Sequence, residues 1–485
     1  MRITFIYPDF FQFPDGSFLP EGRIYLGIGY LSAVLKKAGH DVSLIHLVAP
    51  PGRDELIQAV KSQNPDLIGF SSTTHMFRHT ARVASWTAEL KIPSICGGVH
   101  PTIAPIEALQ TRGIDMVCIG EGEEALLELC DAIEAGKDYS RIDNIWVKRG
   151  DSIIRNRVRP LIEDLDQIPF PDRQIFDRRL LCPDQIPRGT VMASRGCPFN
   201  CTYCSNHAQK SVYPNPERYV RFRSPENVIA EIEELIRSDP DIKFIRFDDD
   251  ILTLDVRWLE NLSNLYKKRI SMPFICNSRV NFINEKTAEL LADMGCLVVC
   301  MGIESGNEWL RSKVLNRHMS NRQIVRAFKL CKEYGMKTVS TNMVGLPYET
   351  TEMVLDTIKI NAECRPDTIQ VSTFIPYPGT ELHSLCEREG LLVNERVDSI
   401  FEGRSPLKKV DNSWENRAAR MHFHTLAYTF SHLYPKKPAA LGKITVGAIE
   451  AALTNKKIPQ SVRRKFFESF IKRNAGKHEP EWIKY

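Results

Sequence analysis

Cys197-Pro198-Phe199-Asn200-Cys201-Thr202-Tyr203-Cys204 places three thiols within eight residues, directly after the strand-like run Thr190–Ser194. Thiols this close can wrap one small inorganic centre. Iron–sulfur clusters are held by cysteine thiolates, four for a complete cubane. Three ligands leave one iron open to a substrate, as catalytic zinc keeps an open position. Two other readings stand beside this one. A zinc knot would recruit His207 as fourth ligand, and a set of buried structural cysteines would need Pro198 and Asn200 inside a core strand, where they fit poorly. The chain's 13 cysteines are an odd number, scattered from Cys96 to Cys386. That usage fits thiolate chemistry in a reducing cytoplasm better than a disulfide framework.

Downstream of the cysteine run, strand-like segments alternate with helical ones. The strands are Lys243–Phe247, Pro273–Asn277, Val298–Gly302, Thr338–Val344 and Thr368–Phe374; between them lie Pro225–Ile236, Glu285–Met294, Asn321–Tyr334 and Thr351–Ala362. With Thr190–Ser194 this makes six βα units, which predicts a partial barrel with its chemistry at the carboxyl ends of the strands. Upstream, Arg2–Tyr7, Asp41–His46, Asp66–Ser71, Pro93–Cys96 and Met116–Ile119 read as strands. Leu26–Lys37, Asp54–Gln63, Met76–Leu90 and Glu123–Ala135 read as helices. Continuous apolar strands of this kind predict an open, doubly wound α/β sheet. Its ligand would sit outside the strand ends, in loops that carry Ser71-Ser72-Thr73, Gly97-Gly98-Val99-His100-Pro101-Thr102 and Gly120-Glu121-Gly122-Glu123-Glu124. Each loop taken alone reads equally well as a plain turn. The expected organisation is a doubly wound domain over 1–140, a connector over 141–188, the barrel over 189–395 and a helical region over 396–485.

Several of these segments together resemble the radical S-adenosylmethionine (SAM) superfamily, whose signature is a C-x3-C-x2-C loop after the first barrel strand. Asp248-Asp249-Asp250, Arg279, Glu304-Ser305 and Gly345-Leu346-Pro347-Tyr348-Glu349-Thr350 follow in the family's order at successive strand ends, and Pro376-Tyr377-Pro378-Gly379-Thr380 resembles its closing segment. Tyr348 stands where the family's turn has glycine. The upstream sheet resembles the Rossmann-like domain of the cobalamin-binding members, with Leu26-Gly27-Ile28-Gly29-Tyr30-Leu31 among the matching segments. The resemblance spans roughly residues 1 to 390.

That resemblance implies three cofactors: a 4Fe-4S cluster, SAM and cobalamin. It assigns Cys197, Cys201 and Cys204 to the cluster. It assigns Tyr203, Asp248, Asp249, Asp250, Arg279, Glu304 and Ser305 to SAM, not all three aspartates meeting the amino group. Cobalamin falls to Ser71, Ser72, Thr73, Gly97, Gly98, His100, Pro101, Gly120, Glu121 and Gly122. The loop Pro8–Gly27 has no histidine, so base-off cobalamin without a protein histidine ligand is expected, with His75 and His100 as the alternatives. The implied reaction is reductive cleavage of SAM to a 5′-deoxyadenosyl radical, followed by methylation of an unactivated carbon or phosphorus centre of a small molecule through methylcobalamin. A cyclase or ring-rearranging enzyme without methyl transfer is the alternative. A corrinoid carrier or redox sensor is the non-enzymatic one. A flavodoxin- or ferredoxin-like electron donor is implied as partner.

Composition adds exclusions. The 485 residues carry 64 Lys and Arg against 60 Asp and Glu, too balanced to argue for nucleic acid. No apolar run approaches the ~20 residues of a membrane span, and no signal peptide is expected. From Lys436 onward, however, twelve cations face four acids, a net of +8. This reads as a solvated helical face or as a docking surface for an acidic partner, an anionic membrane surface or an anionic substrate. In the same region Phe423, Phe430 and Tyr434 are spaced as one helix face packing on the barrel, while aromatics including Tyr428 would otherwise pave a substrate site.

Overall fold

The computed structural model describes residues 1–12, 17–20, 24–181, 188–393, 405, 407–408, 413–433 and 439–474. The chain divides into two compact units. The first comprises Met1–Ile186, Thr190–Glu231 and Tyr377–Ser384; the second comprises Pro187–Gly189, Ile232–Pro376 and Leu385–Tyr485.

In the first unit, strands β1 (Arg2–Pro8), β2 (Asp41–Leu47), β3 (Leu67–Ser71), β4 (Ser94–Gly97), β5 (Met116–Cys118), β6 (Ile145–Arg149) and β7 (Ser152–Ile154) form one sheet in the order β2-β1-β3-β4-β5-β6-β7. The first five are parallel, with Arg2 beside Asp41 and Ile3 beside Leu67. Side chains alternate across a strand, and here both faces are buried. Ile3, Phe5 and Tyr7 join Ile28, Leu35, Leu126 and Leu129 in one core, while Ile6 joins Ile68, Phe70, Phe77 and Val83 in the other. This explains why the strands read as unbroken apolar runs. Gly69 admits the Phe5 ring, since a Cβ there would lie 2.6 Å from it. Strand order reverses between β1 and β3, and at such a switch point the carboxyl-end loops open a ligand crevice. The antiparallel strands β6 and β7 lie inside the stretch read as a connector and extend this sheet. The unit also takes in residues from far downstream of that connector.

The second sheet contains β8 (Arg188–Val191), β9 (Phe244–Phe247), β10 (Phe274–Ser278), β11 (Cys296–Glu304), β12 (Lys337–Val344) and β13 (Thr368–Thr373), side by side in chain order. Pairing from β9 through β13 is parallel, the arrangement of a partial βα barrel. Capping boxes at Asn284 and Ser320 start the helices Glu285–Asp293 and Asn321–Glu333.

Helices Trp414–Met421, Phe423–Leu433, Ala439–Thr454 and Gln460–Asn474 form the C-terminal region. Phe423, Leu426 and Phe430 are buried against Val354, Leu355 and Ile358 of the barrel helix Thr351–Cys364. The packing reading of this face therefore holds for Phe423 and Phe430; Tyr434 lies outside the described residues. Tyr428 packs at the edge of the same core. Of the basic run, Arg463 is buried and paired with Glu415 at 2.7 Å, and Arg464 pairs with Glu468 at 2.7 Å. Lys456, Lys457, Lys465, Lys472 and Arg473 are exposed. Among the described residues, no helix is long and apolar enough to cross a membrane.

Candidate functional site: two sets of strand-end loops

Three loops of the first sheet are knitted together by backbone bonds and by the Thr102 hydroxyl. Ser72 N donates to Gly97 O and His100 N to Ser72 O, each at 3.0 Å. Gly120 N donates to Thr102 Oγ1 at 3.0 Å, and Thr102 Oγ1 in turn donates to Gly98 O at 2.8 Å. Gly98 has φ +99° and ψ −167°, a region reserved for glycine. A Cβ there would lie 2.9 Å from Ser72 O. Ser71 and Ser72 are buried, whereas Thr73, Gly97, Gly98, Gly120, Glu121 and Gly122 are half-buried. These glycine-rich, hydroxyl-bearing strand ends leave backbone open to a bulky planar ligand such as a corrin, so the residues present fit cobalamin. His100 and Pro101 are fully covered, and the His100 ring stacks on Phe77 with centroids 3.8 Å apart. His75 stacks on Phe11 at 5.3 Å.

The cysteine loop belongs to the same unit. Gly196 has φ +88°, and its missing Cβ lets it press against Tyr219 O. Cys201 is buried, Cys197 and Cys204 half-buried, and Cys204 N donates to Cys201 O at 3.0 Å. Cys204 then caps the short helix Ser205–Lys210. His207 does not behave as a fourth metal ligand. Its Nδ1 donates to Cys204 O at 2.7 Å, which leaves Nε2 to accept from Glu381 N at 3.3 Å. Lys210 Nζ holds Asn200 Oδ1, and Leu382 N donates to Thr202 O at 2.9 Å. Three thiols with the nearby imidazole already engaged suit a cubane gripped at three corners.

An ion cluster, which the sequence reading did not find, ties the two loop sets. Glu121, half-buried, receives Arg195 Nη1 at 2.9 Å, both Nη atoms of Arg221 at 2.9 Å, and Ile162 N at 3.0 Å. Glu123 receives Arg195 Nη2 at 2.7 Å. Tyr213 Oη accepts from Glu121 N at 2.8 Å, and the Arg195 guanidinium lies 5.2 Å over the Tyr30 ring. Burial pushes the Glu121 carboxyl up, but Arg221 and Arg195 outweigh it and hold the group below its ordinary value. Burial likewise pulls Arg195 down, and Glu123 and Glu121 more than reverse it.

The second unit supplies the other strand ends. Arg246 Nε donates to Asp248 Oδ1 at 2.6 Å, Asp249 is 1% exposed with its carbonyl accepting from Asn277 Nδ2 at 3.0 Å, and Asp250 is exposed. Arg279 is buried and donates to Asn281 Oδ1 at 3.0 Å. Strand β11 ends in a register shift between Gly302 and Glu304, and Glu304 takes φ +65°. Its carboxylate folds back over Gly302, where a Cβ would lie 2.1 Å from Oε1. Thr341 Oγ1 approaches Oε1 at 3.4 Å, while Arg317 Nη2 donates to Gly302 O at 2.6 Å. Ser305 is buried and its carbonyl accepts from Arg311 Nη1 at 2.5 Å. Arg311, on the π-turn Leu310–Val314, also donates to Met319 O and Asn321 Oδ1. Burial pulls it down to about 10. Wide turns of this type cluster at functional sites. Tyr348 adopts φ +64°, so the turn keeps the left-handed backbone for which glycine is the usual residue. Beside it Glu349 is buried and accepts from Gly345 N at 2.5 Å. Desolvation raises the Glu349 carboxyl to about 7.

Comparison with known proteins agrees with this layout. The B12 binding domain family matches residues 24–130 and the Radical SAM superfamily residues 191–360. An uncharacterized methyltransferase of Pyrococcus horikoshii is 31% identical over 418 residues, 85% of this chain and 88% of that protein. The anaerobic magnesium-protoporphyrin IX monomethyl ester cyclase of Rubrivivax gelatinosus is 27% identical over 395 residues, 79% of this chain and 69% of its own. The solved structure of the cobalamin-dependent S-adenosylmethionine radical enzyme OxsB, with aqua-cobalamin and S-adenosylmethionine bound, shares the fold with a TM-score of 0.69 at 15% identity, covering 100% of this chain and 77% of that one. A cobalamin-type sheet followed by a thiol-bearing partial barrel is thus an inherited arrangement, and the chain belongs to the cobalamin-binding radical SAM enzymes, whose cofactors are a 4Fe-4S cluster, S-adenosylmethionine and cobalamin.

Proposed function

We propose that this enzyme methylates an unactivated carbon or phosphorus centre of a small molecule. When bound, the cluster with SAM supplies a 5′-deoxyadenosyl radical and cobalamin supplies the methyl group. Cys197, Cys201 and Cys204 hold the cluster; the observation that carries this is the three-thiol turn whose neighbouring imidazole is engaged on both nitrogens. Asp248, fixed by Arg246 on one oxygen, keeps the other for the SAM ammonium. Asp249 is buried and structural, and Asp250 faces solvent. Glu304 accepts from the ribose hydroxyls and Arg279 takes the carboxylate; Tyr203 and Ser305 are the remaining residues assigned to SAM. Ser71 to Thr73, Gly97 to Pro101 and Gly120 to Gly122 surround cobalamin, with His100 contributing as a covered support and not as a cobalt ligand. A flavodoxin- or ferredoxin-like donor in the cytoplasm reduces the cluster.

Similarity to the Pyrococcus horikoshii methyltransferase favours methyl transfer. Similarity to the Rubrivivax gelatinosus cyclase supports a second reading, radical ring closure without a methyl. Anaerobic turnover with methyl-labelled SAM and candidate extracts separates them. The methyltransferase places label in product; unlabelled product together with 5′-deoxyadenosine selects the cyclase. Failure to form 5′-deoxyadenosine would remove both.

A further inference from the structure

The ion cluster around Glu121 has a feature its hydrogen bonds alone do not convey. Ser194–Arg195 and Arg221–Phe222 form a two-stranded antiparallel ribbon in which Arg195 stands directly opposite Arg221. Like charges facing each other across a strand pair destabilise it. Here both guanidiniums are withdrawn from water, with side-chain exposures of 18% and 8%. What neutralises them comes from another part of the unit: the Glu121 carboxylate bridges the pair, and Glu123 completes a balanced set of two acids and two bases. Glu121 sits in the loop Gly120–Gly122. A Cβ on Gly120 would lie 2.6 Å from Tyr213 Oη, the same hydroxyl that receives Glu121 N. On its other side, Arg195 is followed by Gly196, packed on Tyr219 O, and then by Cys197.

We infer that Glu121, Glu123, Arg195 and Arg221 couple the two cofactor sites, so that cobalamin and the iron–sulfur cluster each favour binding of the other. This rests on the cofactor loops as assigned under the proposed function. The glycine loop cannot shift without stripping the anion from two buried cations, and the ribbon cannot shift without stripping its cations from Glu121. Removing one partner of a buried ion pair is far more costly than the pair is worth. A cofactor seated against either loop holds that loop on the shared ion cluster, and the ion cluster holds the other loop in place for the second cofactor. The four residues act as positioning residues; none touches a reacting atom.

Coupling of this kind is reciprocal and commonly amounts to about 5–150-fold in affinity. The test is a visible-absorbance titration of full-length protein with hydroxocobalamin under anaerobic conditions, with and without a reconstituted cluster. Cluster-loaded wild type should bind at least about fivefold more tightly than cluster-free protein. Glu121→Gln keeps the shape and loses the charge, so the ratio should fall to about one. Glu124→Gln, at an exposed neighbour, should keep the wild-type ratio. Should Glu121→Gln fail to fold, Arg195→Lys retains the cation without the fork that spans both acids and should also abolish the ratio. In wild type the electron paramagnetic resonance of the reduced cluster should shift on adding cobalamin. A ratio of one in wild type, or a full ratio in Glu121→Gln, overturns the inference. A chain that makes no methylated product yet shows the ratio would retire the proposed methylation and leave the coupling standing.

Discussion

Gly98→Ala gives the sharpest test of where cobalamin sits. At φ +99° and ψ −167° an alanine costs about 1–3 kcal/mol in backbone strain. The added carbon would also lie 2.9 Å from Ser72 O and 3.0 Å from Ser72 N. Those two atoms carry the bonds to His100 N and Gly97 O, each at 3.0 Å. Pushing them apart forfeits about 1 kcal/mol more. The total, about 2–4 kcal/mol, is relieved if the loop opens, and cobalamin must then close it again. At about 1.4 kcal/mol per decade the lower figure already means a roughly 30-fold weaker dissociation constant. Hydroxocobalamin titration reads it directly. Gly136→Ala is the control: it shares a positive φ, +64°, but has nothing within 4 Å. It should lose about 1 kcal/mol of stability and no cobalamin affinity. Folded Gly98→Ala protein that binds within threefold of wild type would refute the assignment of this loop.

Two further predictions concern the second unit. Glu349 keeps a proton up to about pH 7 in the folded protein, against an ordinary value of 4.5. The folded state therefore binds more protons between these values, and stability falls as pH rises through that window, levelling off above it, by about 3 kcal/mol in all. Glu349→Gln should match wild type in urea near pH 4.5 and exceed it at pH 8; equal midpoints at both would sink the assignment. Arg311→Met strips donors from the buried carbonyls of Ser305 and Met319. It should cost about 3 kcal/mol in chemical denaturation and weaken S-adenosylhomocysteine binding, an outcome absent if the loop Glu304–Ser305 is held by other means.

Strands were legible because parallel strands buried on both faces show no polar alternation: Arg2–Tyr7, read from apolar content, is β1 to within a residue. The three-thiol run stood out because its spacing is local, Cys197, Cys201 and Cys204 lying within eight residues. The hairpin Ile145–Ile154 did not, since its exposed Lys148 and Arg149 and its turn at Gly150 look like any charged connector. Nor did the ion cluster, whose partners stand 72 to 100 residues apart and meet only once the sheet and the ribbon have formed. Arg311 gave no signal either, because its chief acceptors are the backbone carbonyls of Ser305 and Met319, which no residue type marks in a sequence.

Because Leu382 closes on Thr202 and Gly379 abuts Ile103, the first unit is finished by residues made long after its sheet. About 180 residues separate Cys204 from Ser384. At ~5–20 residues per second, synthesis of that interval takes about 9–36 s. During this time the nascent cysteine turn waits on the ribosome without its final cover, open to iron delivery and equally to oxidants.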